Sequence, residues 1–195
     1  MTFSCDFRLV MRGAARWLCG GALLLACAVG AAAQTDAPVT LKLKGVDGKR
    51  YDVAEMRGAV VLVSFGATWC KPCEWELTAL EELKVEYAQK PVRFLWVSVD
   101  TRQQASDDRV RAYARAHNLT LPVLRDPDFA VFAQFSQRVR LPLVVFFDRR
   151  GAFAAPKHTG MAADPIEYKR VIRARLDALL AAPTAERAPA GAPNR

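Results

Sequence analysis

The stretch Val60-Val61-Leu62-Val63-Ser64-Phe65-Gly66-Ala67-Thr68-Trp69-Cys70-Lys71-Pro72-Cys73 decides the fold. Val60–Phe65 is a nearly unbroken apolar run rich in valine, the pattern of a central strand buried on both faces. A short link then delivers two cysteines, two residues apart. Pro72 falls in the first turn of the helix that follows, where its missing N–H costs nothing. Cys73, Leu77, Leu80 and Tyr87 share one face of that helix, which is expected to reach about Gln89.

Working outward, Val92–Val99 reads as the next buried strand, so strand, helix and strand form a βαβ unit with a parallel pair. A second helix is expected from about Ser106 to His117, with Val110, Tyr113, Ala114 and His117 on one face. A short strand at Leu121–Leu124 follows. Asp126-Pro127 then opens a short helix through Phe129, Phe132 and Phe135. Pro142–Phe147 is strongly β-forming, and Arg150-Gly151 turns it into a hairpin. Asp164-Pro165 starts the last helix, whose buried stripe is Tyr168, Ile172, Leu176 and Leu179. On the amino-terminal side, Val39–Lys44, the turn Asp47-Gly48 and Lys49–Val53 form another hairpin. The fold class is α/β: a central mixed sheet covered on both faces and flanked by helices, with an N-terminal β-hairpin extension and a helical insertion.

The first residues are of another kind. Arg8, Arg12 and Arg16 precede an apolar run from Trp17 to Val29, and Ala31-Ala32-Ala33 supplies small residues. This is the layout of a secretory signal cut after Ala33, on a run short for a membrane span. Leu24-Leu25-Ala26-Cys27 resembles a lipobox, in which Cys27 would be lipidated and tether the protein to a membrane. The expected domains are therefore a signal peptide at 1–33, a folded domain at 34–182 and a disordered Pro/Ala-rich tail at 183–195. The apolar share of 52% suits a folded core and excludes a disordered chain. Removing residues 1–33 takes away three Arg and one Asp and lowers the formal charge from +8 to about +6. The basic residues are scattered without interleaved aromatics, so no nucleic-acid partner is expected.

Export sharpens the cysteine count. Cys5, Cys19 and Cys27 lie in the signal region, and cleavage after Ala33 leaves Cys70 and Cys73 alone. A loop this short constrains little of the unfolded chain, so the pair is not a structural staple. A structural zinc site would want a second pair of ligands, and only His117 and His158 are on offer. The remaining chemistry is redox. A thiolate attacks disulfides, and a cysteine at a helix start meets free N–H groups and the positive end of the helix dipole, which favour the charged form. Lys71 adds a nearby positive charge. Cys70 is thus expected to face solvent, with Cys73 one turn on and inside, placed to resolve a mixed disulfide.

Residues 61–73, with the Gly48-Lys49 hairpin, Gly58 and the later Val139-Arg140-Leu141-Pro142 segment, resemble the TlpA/ResA-type thioredoxin-like family of exported thiol–disulfide oxidoreductases. The similarity runs over about residues 39–180. It implies a thioredoxin-like fold, with Cys70 as nucleophile and Cys73 as resolving thiol. Glu76 would sit where ResA-type proteins keep an acidic group, tuning the thiols or relaying a proton; otherwise it is a solvated helix glutamate. Pro142 would be a cis-proline facing the dithiol. The backbone of Leu141 would pair with substrate in β fashion, and Trp69 would pack beside Cys70. No cofactor or metal is expected. The partners implied are exported proteins bearing disulfides or dithiols and a membrane thiol carrier as electron donor.

Several positions depart from the family. Gly66 stands where an aromatic residue is common, Thr78 replaces a usual proline, and Leu141 is bulkier than the Thr or Val often found there. Ser64 sits where thioredoxin itself keeps a buried carboxylate, so a base at that place is absent. The same residues serve a reductase, or an oxidase or isomerase. A thiol peroxidase would want a Thr where Ala67 stands. A copper chaperone would join the cysteines to a distant His158, although that family spaces its cysteines more widely. Arg138, Arg140, Arg149 and Arg150 flank the Pro142 strand as a basic rim or as solvated surface.

Overall fold

The computed structural model describes residues 39–162 and 164–183. The expected signal at 1–33, with Cys27, and the expected tail beyond residue 183 lie outside them. The strands are β1 (Lys42–Gly45), β2 (Arg50–Asp52), β3 (Val60–Gly66), β4 (Val92–Ser98), β5 (Val123–Arg125), β6 (Leu143–Phe147) and β7 (His158–Thr159). The α-helices are α1 (Lys71–Glu86), α2 (Asp107–Ala116) and α3 (Pro165–Ala181). All seven strands join one sheet in the order β2-β1-β5-β4-β3-β6-β7. β3, β4 and β5 run parallel, and the others are added antiparallel.

Strand alternation sorts the core into two layers. Val60 and Leu62 of β3 point to one face, while Val61, Val63 and Phe65 point to the other. Both faces are covered, but by different means. The first meets the buried stripes of all three helices: Leu77, Leu80 and Leu83 of α1, Val110 and Ala114 of α2, and Tyr168, Ile172 and Leu176 of α3. The chain steps from β3 to β4 to β5 in one direction across the sheet. Two successive right-handed crossovers made in the same direction place their helices on the same side. The second face is covered by Leu41, Val53, Val131, Phe132 and Phe135. Here the expected short helix is a single 3-10 turn at Phe132–Gln134. It is held by the buried Asp126, whose carboxylate accepts the N–H groups of Val131 and Phe132. Phe65 packs against Phe132 and Phe135 at ring separations of 5.5 and 5.6 Å, so aromatic bulk substitutes for a helix.

Boundaries shift for local reasons. α1 ends at Glu86 rather than Gln89, because Tyr87 leaves the helical conformation and the next turns close on Val85 and Tyr87 carbonyls. Gly48, with φ of +83°, makes the β1–β2 turn. The hairpin after β6 is looser than expected: a single bridge joins Phe147 to Phe153, and β7 pairs only Thr159 and His158 with Leu143 and Val144.

Candidate active site

The carboxyl ends of β3 and β4 and the amino end of β6 meet at one edge of the sheet, since Phe65 pairs with Leu143 and Gly66 with Ser98. Such an edge is where open α/β sheets present their chemistry. The loop from β3 delivers Cys70 as the N-cap of α1, with Pro72 in the first turn. Cys70 N–H donates to the Ala67 carbonyl and Cys73 N–H to the Cys70 carbonyl, both at 3.0 Å, so the turn is locked onto the helix. Cys70 and Cys73 are joined in a disulfide.

Cys70 was expected to face solvent, and it does so only at an edge: it is 5% exposed and Cys73 not at all. Access to the pair is therefore through the Cys70 sulfur. Trp69 is 55% exposed and Trp75 57%.

A buried polar network fixes the loop. The carboxylate of Asp100, just past β4, accepts from the Thr68 N–H at 2.9 Å, the Thr68 hydroxyl at 2.8 Å and the Ser98 hydroxyl at 2.8 Å. Ser98 in turn accepts from Arg125, which also bonds Asp107 and the Ala105 carbonyl. Nothing in the local sequence marked Asp100, because its partner lies 32 positions earlier. Asp100→Ala would strand these donors; we expect a stability loss of about 1–3 kcal/mol in denaturant unfolding, largely recovered by Asp100→Asn.

Glu76 is not a solvated helix residue. It is fully buried one turn after Cys73, accepting from the Ser64 hydroxyl and the Tyr168 hydroxyl, each at 2.6 Å. Burial pushes its carboxyl up to about 7, against the two hydrogen bonds, which lower it. The buried carboxylate missing at Ser64 is thus supplied from the helix above it. Leu141 is half-buried against the cluster that holds both cysteines, and the Leu141–Pro142 peptide is cis.

The two histidines lie elsewhere. His117 caps α2 against Tyr113, at 4.3 Å between rings. His158 in β7 stands against Tyr168, at 5.5 Å, with its pKa lowered by burial. Among the described residues no cluster of three His, Cys, Asp or Glu side chains could hold a metal ion, and no helix is long and apolar enough to cross a membrane. Of the four basic residues flanking the Pro142 strand, Arg149 bonds the Ala182 carbonyl and Arg150 pairs with Asp148. A cavity of about 570 Å³ sits at the far end of the sheet, beside Val92 at the start of β4, and belongs to no part of this site.

Residues 33–155 match the family model described as AhpC/TSA family. The chain belongs to the AhpC/TSA family. Its relatives bear out the resemblance read from residues 61–73. The thioredoxin-like protein YneN of Bacillus subtilis is 41% identical over 85 residues, covering 43% of this chain and 48% of that protein. The thiol-disulfide oxidoreductase ResA of Bacillus cereus is 28% identical over 106 residues, covering 54% and 58%. The chain thus spans about half the length of the curated relatives it matches. Among solved structures, the exposed lipoprotein thioredoxin Etrx1 of Streptococcus pneumoniae superposes with a TM-score of 0.58 at 27% identity, over 72% of this chain and 99% of that one. A secreted Mycobacterium tuberculosis disulfide oxidoreductase homologous to E. coli DsbE gives 0.57 at 21%, over 71% and 98%. The fold is thioredoxin-like, as these neighbours and the mixed sheet agree.

Proposed function

We propose that this protein is an exported thiol–disulfide oxidoreductase working as a disulfide reductase, with Cys70 as nucleophile and Cys73 as resolving thiol. The observation that carries it is the unequal exposure of the two cysteines at a helix N-terminus: 5% for Cys70 and none for Cys73. In the reduced protein the Cys70 thiolate attacks a substrate disulfide and forms a mixed disulfide, expelling one substrate thiolate. Cys73, deprotonated, then attacks the Cys70 sulfur and releases the second substrate thiolate. Glu76, with a pKa of about 7, accepts or returns the Cys73 proton near neutral pH. Leu141, cis-Pro142 and the exposed Trp69 receive the substrate chain beside the sulfur.

The signal at 1–33 would take the protein to an oxidising compartment, where a reductase needs electrons from a membrane thiol carrier. The Bacillus cereus relative named thiol-disulfide oxidoreductase supports the chemistry, and the solved relative named an exposed lipoprotein thioredoxin supports this placement. Lipidation at Cys27 would tether it there. Ala67, buried against the dithiol where a peroxidase would want a Thr, argues against peroxide chemistry.

The test is the reduction potential of the pair, read by alkylating free thiols after equilibration in thiol–disulfide buffers. A value near or below about −250 mV is expected of a reductase. A value near about −120 mV would make the protein an oxidase and remove this reading.

A further inference from the structure

Trp96 is fully buried in β4, opposite Ser64 of β3 in the parallel register. Its indole Nε1 has no hydrogen-bond partner among the described residues. A buried donor left unpaired is a cost that folded proteins rarely keep without a use. The ring is not loose: Tyr113 of α2 stacks on it at 5.5 Å with 23° between the planes, and His117 backs Tyr113.

The place this nitrogen occupies is defined by Gly66. A Cβ at Gly66 would lie 2.6 Å from Trp96 Nε1 and 3.3 Å from Cys73 Sγ. Gly66 pairs regularly with Ser98 within β3, so the glycine is needed for room rather than for turning. The indole N–H edge stands in the space that a side chain at 66 would take, and the inner sulfur of the dithiol borders that same space.

A disulfide sulfur is a poor acceptor, whereas a thiolate is a strong one. Resting on the reading that this pair cycles, we propose that the Trp96 indole N–H donates a hydrogen bond to the Cys73 sulfur when the disulfide opens. An incoming thiolate attacks Cys70 Sγ and forms a new S–S bond. The Cys70–Cys73 bond breaks, and its electron pair leaves on Cys73 as a thiolate. The indole keeps its proton throughout and stabilises that leaving thiolate until Cys73 is protonated. A better-stabilised leaving thiolate departs faster. The titratable groups around Cys73 are Cys70 and Glu76 on its own helix, Tyr168 of α3 bonded to Glu76, Tyr113 of α2 behind the indole, and Asp100 beyond Ser98. Of these only Tyr113 carries an unpaired buried donor, its hydroxyl, and it stands behind the indole rather than against Gly66.

The wild-type protein offers the first test. The ¹H–¹⁵N indole resonance of Trp96 is compared in the oxidised and reduced states across pH. On reduction it is expected to move downfield and to follow the ionisation of Cys73, while the exposed Trp69 and Trp75 indoles do not. In Trp96→Phe, opening of the disulfide by dithiothreitol is expected to slow about tenfold, and the Cys73 thiol pKa to rise by about one unit, as for loss of a charge-assisted hydrogen bond. A Trp96 indole unmoved by reduction, or equal opening rates in a folded variant, overturns the proposal and leaves the reductase reading standing. A pair that dithiothreitol cannot open overturns both.

Discussion

Cys73→Ser is expected to turn the protein into a trap: Cys70 still attacks, and the mixed disulfide persists because nothing resolves it. The opposite substitution, Cys70→Ser, is expected to remove turnover, by on the order of 10³-fold or more, as removal of a covalent nucleophile does. The asymmetry follows from access. Any large substrate that reaches the pair meets the Cys70 sulfur, since Cys73 lies wholly under the first turn of α1 and against Gly66. The backbone favours the same assignment. Cys70 is the N-cap, at the positive end of the helix dipole, which favours a thiolate there, although its side chain makes no capping hydrogen bond while the disulfide is closed. Cys73 is already inside the helix.

The measurement is a non-reducing gel with mass spectrometry, after incubating each variant with a disulfide-bonded protein such as insulin. A covalent adduct should accumulate with Cys73→Ser and be absent with Cys70→Ser. Adducts on the second variant and none on the first would exchange the two roles and sink the mechanism proposed above. Equal turnover in both would mean that the pair is idle.

What the sequence could reveal depended on the distance over which each feature is written. The buried strand, the dithiol and the helix start lie within residues 60–73, and local pattern was enough to place them. The stripes of α1 and α3 were legible because helical periodicity repeats over 16 and 17 residues. β7 was not, because two residues carry no period. The cover of the second sheet face differs in kind from what its sequence pattern predicts. Three phenylalanines at 129, 132 and 135 read as helical spacing, but Phe129 adopts φ of +57° and the Asp126 carboxylate ties down the two N–H groups that follow Ala130. Glu76 was named from resemblance, and its burial had a partial signal: it lies three residues after Cys73 and four before Leu80, on the inner stripe. Its partners could not be seen, since Tyr168 is 92 positions away. The Gly66–Trp96 complementarity was hidden for the same reason. A strand pairing decides it, and a glycine in sequence does not say whether it serves backbone or space.

Glu76→Gln is expected to flatten a slope of stability against pH that the wild-type protein should show. Burial carries the Glu76 carboxyl from its ordinary 4.5 to about 7 in the folded protein. Below about pH 4.5 the group is protonated whether folded or not, and its full contribution to stability is present. As pH rises, the unfolded chain releases the proton first, and the folded state keeps it until about 7. Stability therefore falls through this window, by roughly 3 kcal/mol once the folded carboxyl is also ionised. Other groups must be separated from it. His158, whose pKa burial lowers, acts in the opposite sense: its stabilisation is present above 6.5 and is lost as pH falls. Asp52 and Asp148, held below 3.8, act only in more acid solution. The disulfide-bonded cysteines do not titrate. The quantity to measure is thus the difference between oxidised wild type and Glu76→Gln in denaturant unfolding, at pH 4.5 and pH 8. Glutamine keeps the shape and can accept from Tyr168 and donate to Ser64, so the two proteins should be close at pH 4.5. At pH 8 the variant should be the more stable by roughly 3 kcal/mol, because it has no buried charge to desolvate. A difference that does not change with pH would mean that Glu76 ionises at its ordinary value. It would then already be charged near neutral pH, and the Cys73 proton would have to go elsewhere. If the slope is found, the same variant should lose the inflection near pH 7 in disulfide reduction, which ties the stability cost of this buried carboxyl to its use.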